Sequence, residues 1–121
     1  MERFSNKKTF GNWGEKIAAD FLKIKGYSIV MNNYRCLFGE IDLICRDGEI
    51  WCFVEVKTRH TSAFGPGYLA VTRLKQKHMI QAAQYYLNET GMFEALARFD
   101  IVSIDYYSKK DYQIELLKNA F

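Results

Sequence analysis

The chain has 121 residues, enough for one domain with its own core and too few for two of ordinary size. A composition that is 49% hydrophobic, 16% aromatic and 26% charged excludes a disordered or low-complexity chain. The net charge of +3 permits a polyanionic partner without requiring one, and no apolar window approaches the ~20 residues of a membrane helix.

Cys36, Cys45 and Cys52 are odd in number and lack metal-type spacing, so they read as reduced thiols of a cytosolic protein. The opening Met-Glu-Arg-Phe-Ser-Asn-Lys-Lys carries charge with no apolar stretch behind it, unlike a signal peptide. A cytoplasmic location is expected, with residues 1–121 forming a single domain.

The first helix is predicted from Trp13 to Lys25, capped by Asn12 and stopped by Gly26. Trp13, Ile17, Phe21 and Ile24 make its apolar stripe. Tyr27 to Asn33 alternates as a first strand. Gly39 to Arg46 and Glu49 to Lys57 read as a hairpin about Asp47-Gly48, the strongest short-range signal of that kind. A loop with Gly65-Pro66-Gly67 follows. Thr72 caps a second helix reaching about Asn88, with Met79, Ile80, Ala83, Tyr86 and Leu87 inward. Strands over Arg98 to Tyr106 and Tyr112 to Lys118 close the chain.

The order α-β-β-β-α-β-β makes the third and fourth strands parallel, because a helix crosses between them. The expected fold is α/β: a mixed five-stranded sheet with a helix on each face.

A turn at Asp47-Gly48 pairs Arg46 with Glu49, Asp42 with Phe53 and Glu40 with Glu55. One face then carries Ile41, Leu43, Cys45, Ile50, Cys52, Val54 and Val56 and must be core. The other carries Glu40, Asp42, Glu55 and Lys57 among Ile44, Trp51 and Phe53, which pack most simply under a helix. Asp42 and Glu55 are diagonal neighbours whose like charges repel unless a cation lies between them. Hard oxygen ligands of this kind suit Mg²⁺ or Mn²⁺. Such an ion activates water at a phosphate, and a lysine beside it stabilises the developing charge or orients the water. Glu15 flanks the stripe of the first helix and can reach the sheet.

Asp42 followed by Glu55-Val56-Lys57 resembles the PD-(D/E)xK signature of the restriction-endonuclease-like nucleases. The segments Gly39 to Ile44 and Phe53 to Arg59 are more similar still to the YraN family of small bacterial proteins, itself similar to archaeal Holliday junction resolvases. Gly11 to Glu15, Gly26-Tyr27, Asn33-Tyr34-Arg35, Phe64-Gly65, Ala70-Val71-Thr72, Lys75 and Asn119-Ala120-Phe121 extend the likeness over nearly the whole chain. Ile41 stands where the superfamily signature usually has proline, and Leu69 where the family pattern suggests an acid.

The resemblance implies a restriction-endonuclease-like three-layer sandwich. It implies Asp42 and Glu55 as metal ligands, Glu15 as an accessory ligand, and Lys57 as the catalytic lysine. Arg35, Arg59, Arg73 and Lys75, with Lys7, Lys8 and Lys77, sit at segment ends near this site and would contact backbone phosphates.

The expected activity is metal-dependent phosphodiester hydrolysis, with DNA of structured or branched form as partner. The alternatives are a nucleic-acid-binding module without catalysis and a protein-docking surface. A homodimer is plausible for a nuclease of this size. His60 follows the motif, where a solvated loop histidine is the simpler reading. Gln81, Tyr85 and His78 are expected on the exposed side of the second helix.

Overall fold

The computed structural model describes residues 4, 6–60, 65, 71–92 and 94–121. Most of the expected loop after His60 lies outside these, as do Phe64, Leu69 and Ala70 of the family pattern.

Helix α1 spans Lys7–Ile24, six residues longer at its start than expected. Its cap is Asn6, not Asn12: the Asn6 side chain accepts from the Thr9 N–H at 2.9 Å, and Thr9 Oγ1 accepts from the Asn6 N–H at 3.2 Å. This reciprocal box is easily missed because threonine stands where glutamate or glutamine is usual. Gly26, with φ of +97°, supplies the left-handed turn that ends the helix region.

The buried stripe of α1 is Gly14, Ala18, Ala19 and Leu22. Trp13, Ile17 and Phe21 lie partly buried beside it, and the expected Ile24 is 86% exposed. Small side chains set the helix close to the sheet. A Cβ on Gly14 would overlap the Thr58 side chain of the third strand.

Strands β1 (Ser28–Cys36), β2 (Gly39–Asp47), β3 (Ile50–Arg59), β4 (Ala97–Ser108) and β5 (Asp111–Leu117) form one sheet in that order. Helix α2 (Arg73–Glu89) crosses between β3 and β4, which run parallel, while the other pairs are antiparallel. Thr72 caps α2, accepting from the Lys75 N–H at 3.1 Å.

Each face has its own core. Against α1 lie Leu43, Cys45, Cys52, Val54, Val102 and Ile104. Against α2 lie Ile41, Ile44, Trp51 and Phe53, meeting Ala82, Ala83, Tyr86 and Leu87. The sandwich is therefore three-layered, as expected. In α2, Ala82 replaces Ile80 in the inward stripe, and Ile80 is 36% exposed. The three cysteines are free. Burial pushes the facing thiols Cys45 and Cys52 up to about 12 and about 11, so neither is reactive at neutral pH.

The β2–β3 register is two residues from the expected one: Asp47 pairs with Ile50 and Arg46 with Trp51, with the turn at Gly48-Glu49. Gly48 has φ of +61°, which a tight hairpin turn requires. An even offset keeps every side chain on its face. Ile41 is the exception: it packs with Ile44 on the α2 side rather than with Leu43 and Cys45. Alternation breaks at Asp42.

A buried polar network that the sequence did not suggest ties the sheet to the chain end. Asp100 accepts from Tyr27 Oη at 2.9 Å, Arg98 Nε at 3.1 Å and the Asn119 N–H at 2.9 Å. Arg98 also reaches Asp47 at 2.8 Å.

Candidate active site

The β2–β3 ladder runs from Asp47↔Ile50 to Leu43↔Val54. Just beyond it the Asp42 carboxylate accepts the Val56 N–H at 2.8 Å, taking the place of a backbone partner. A carboxylate is thereby inserted between two strands. Both outer layers reach this point: Glu15 comes from α1 on one side, and Lys75 comes from α2 on the other.

Glu55 is 5% exposed, and its Oε2 is buried without a hydrogen-bond partner. The Lys75 ammonium lies 3.7 Å from that oxygen, a charge contact too long for a hydrogen bond. Burial and then the Asp42 charge push Glu55 up to about 8, against the pull of Lys75 and Lys57. Burial, Asp42 and Glu40 push Glu15 up to about 7, with Arg35 opposing. Asp42 is common to both shifts, and a hydrogen bond to it contributes to each. Carboxyls from α1, β2 and β3 thus share one site, with Lys57 half-buried beside them.

The donor chemistry fits a hard divalent cation. It offers only oxygen ligands, one of them a buried orphan, and magnesium commonly takes one or two carboxylates together with waters and substrate phosphate. As the side chains stand, no group of three or more His, Cys, Asp or Glu among the described residues is arranged to hold a metal.

The carboxylates open onto a cleft of about 1320 Å³. Lys57 and Arg59 line it along β3 with His60 just after, Lys7 and Phe10 along α1, and Tyr106 to Lys110 at the β4–β5 turn. Of the expected phosphate contacts, Arg59 lines the cleft but is paired with Asp105 at 2.9 Å. Arg35 is exposed and pairs with Glu40 at 3.2 Å. Arg73 is exposed at the start of α2, and Lys75 turns to Glu55. Trp51 and Phe53 are buried against Tyr86. His78 is exposed, with its backbone close to Gly39, and Tyr85 leans on Phe38.

Two features escaped the sequence. Lys75 sits at the acidic cluster, which only the packing of α2 on the sheet could reveal. Phe10, Tyr106, Lys109 and Lys110 share the cleft because the lengthened α1 and the long β4 both reach it. No helix is long and apolar enough to cross a membrane among the described residues.

Residues 14–104 match the uncharacterised protein family UPF0102. A UPF0102 protein of Geotalea daltonii is 46% identical over 117 residues, covering 97% of this chain and 92% of its own. One of Desulfosudis oleivorans is 43% identical, covering 97% and 93%. One of Caldicellulosiruptor saccharolyticus is 41% identical, covering 96% and 99%.

Proposed function

Starting from a chain that belongs to the uncharacterised protein family UPF0102, we propose that it is a divalent-metal-dependent nuclease hydrolysing phosphodiester bonds, with DNA of structured or branched form as substrate. The observation that carries this reading is Glu55: a nearly buried carboxylate, orphaned at Oε2, set beside Asp42 and Glu15 at the rim of a cleft. Burying like charges together is costly without a cation to offset them. The likeness of Asp42 and Glu55-Val56-Lys57 to the nuclease signature supports the same conclusion.

Asp42, Glu55 and Glu15 would hold Mg²⁺ or Mn²⁺. When bound, such an ion polarises the phosphoryl oxygen and lowers the pKa of its water. The chain's own groups do the rest. The Val56 N–H fixes the Asp42 carboxylate. Lys57 places a positive charge where negative charge grows at phosphorus, or orients the attacking water. Glu15, raised to about 7 by burial and Asp42 in the metal-free chain, would shed that proton on ligating the ion. Lysines of the cleft wall hold the backbone in place.

One observation favours a second reading, a nucleic-acid-binding module without catalysis: Lys75 already offsets part of the charge at Glu55.

The test is cleavage of end-labelled single-stranded, duplex, flap and four-way-junction DNA with Mg²⁺ or Mn²⁺, beside Glu55→Ala and Lys57→Ala. Metal-dependent cleavage lost in both variants is the expected result. Cleavage that survives in Glu55→Ala comes from elsewhere. Binding without cleavage under either metal supports the second reading.

A further inference from the structure

The cleft has a second wall, an aromatic cluster in which Phe10 and Tyr106 pack on Phe4 and Trp13 and carry the exposed His60. Phe10 of α1 stacks on His60 with centroids 4.3 Å apart and planes 10° from parallel. Tyr106 of β4 stands edge-on to both at 5.4 Å. Trp13 and Tyr112 of the same aromatic group pack on the α1-side core, whereas Phe10, His60 and Tyr106 join neither core among the described residues. One face of the His60 imidazole is covered by Phe10, and the residue is exposed, so the stack ends on a ring open to solvent. Tyr107, which follows Tyr106 in the chain and also lines the cleft, is 52% exposed.

Charge along the cleft is divided. Among the described residues the acidic lining is Glu15, Asp42 and Glu55, while Lys7, Lys109 and Lys110 accompany the rings. A ligand for this wall needs a flat π-face and negative charge spaced along it. An unpaired nucleotide has both, whereas bases inside a duplex have their faces covered by their neighbours.

The geometry points to a base-stacking subsite on Phe10, His60 and Tyr106 that takes an unpaired nucleotide and leads the adjoining backbone to the carboxylates. The substrate class is then a polynucleotide that is single-stranded, or carries an unpaired segment, at the cleaved position. This inference rests on the carboxylate cluster being the phosphodiester site.

The test is binding in EDTA, where no cleavage occurs, followed by fluorescence anisotropy. The probes are a short labelled single strand of DNA, the RNA of the same sequence, and the blunt DNA duplex. The expected result is a single strand, of either sugar, bound about tenfold or more tightly than the duplex. His60→Ala should weaken single-strand binding by about tenfold and leave duplex binding unchanged, and His60→Phe should restore it. Because His60 is exposed, both variants leave the cores intact. Lys109→Ala with Lys110→Ala should flatten the salt dependence, which His60→Ala should not.

Equal affinity for single strand and duplex, or an His60→Ala loss equal on both, overturns the subsite. If cleavage still needs Glu55 in that case, the nuclease reading stands without it. Single-strand preference that depends on His60, with no cleavage under any metal, keeps the subsite and removes the nuclease.

Discussion

Replacing Glu55 with glutamine is expected to stabilise the protein at alkaline pH in the absence of divalent cation. The carboxyl is nearly buried, and burial with the Asp42 charge raises it from 4.5 to about 8. The folded chain therefore holds a proton on Glu55 more tightly than the unfolded chain does. The resulting contribution to stability is complete below about pH 4.5 and is lost as pH rises through about 8. At about 1.4 kcal/mol per tenfold change in proton affinity, the ceiling on that loss is about 5 kcal/mol. Asp42 and Glu15 share the repulsion and relax when one partner is neutralised, so about 1–3 kcal/mol is expected for the single substitution. Glutamine keeps the shape and can donate to Asp42. In urea unfolding followed by tryptophan fluorescence, the Glu55→Gln midpoint should exceed the parent's by about 1 M at pH 8.5 and match it near pH 5. Mg²⁺ at ten times its dissociation constant should then stabilise the parent alone, by about 1.4 kcal/mol, and narrow the gap. A variant destabilised equally at both pH values, with or without Mg²⁺, would refute the reasoning.

Two further outcomes follow from packing. Gly14→Ala sets a Cβ against the Thr58 side chain and should cost about 1–3 kcal/mol in thermal or urea unfolding, part of it recovered by adding Thr58→Ala. A full-strength loss in the double variant would show that the contact is not what limits the position. Asp100→Ala leaves Arg98, Tyr27 and the Asn119 N–H without their shared acceptor and should cost about 3 kcal/mol or more. A melting temperature near the parent's would show that the network adds little.

The alternating runs on either side of Asp47-Gly48, the cap at Thr72 and the stop at Gly26 made the element order and the mixed sheet legible in the sequence. Glu55 and Lys57 keep the face that the expected hairpin gives them, because an even register offset cannot move a side chain to the other face. The offset itself was not legible, since Asp47-Gly48 and Gly48-Glu49 are both workable two-residue turns. The break at Ile41 and Asp42 was hidden for a different reason. It arises where two strands part and a carboxylate takes a backbone N–H, a tertiary event with no local signal. Trp13, Ile17 and Phe21 outweighed Gly14 and Ala18 in the helical pattern, although the small residues make the closest approach. The Lys75–Glu55 contact has no signature in sequence spacing, because it depends on how α2 docks on the sheet.

The central claim is that Asp42, Glu55 and Glu15 form a divalent-metal site, and calorimetric titration of Mn²⁺ near pH 7.5 tests it most directly. The titration would use buffers of different ionisation enthalpy and compare the parent with Asp42→Asn. Glu15 at about 7 and Glu55 at about 8 are partly protonated there, so metal must displace protons as it binds. The expected result is binding by the parent with net proton release, weakened about tenfold or more in Asp42→Asn. Binding of equal strength in both proteins, or no binding by the folded parent at millimolar Mn²⁺, would contradict the claim.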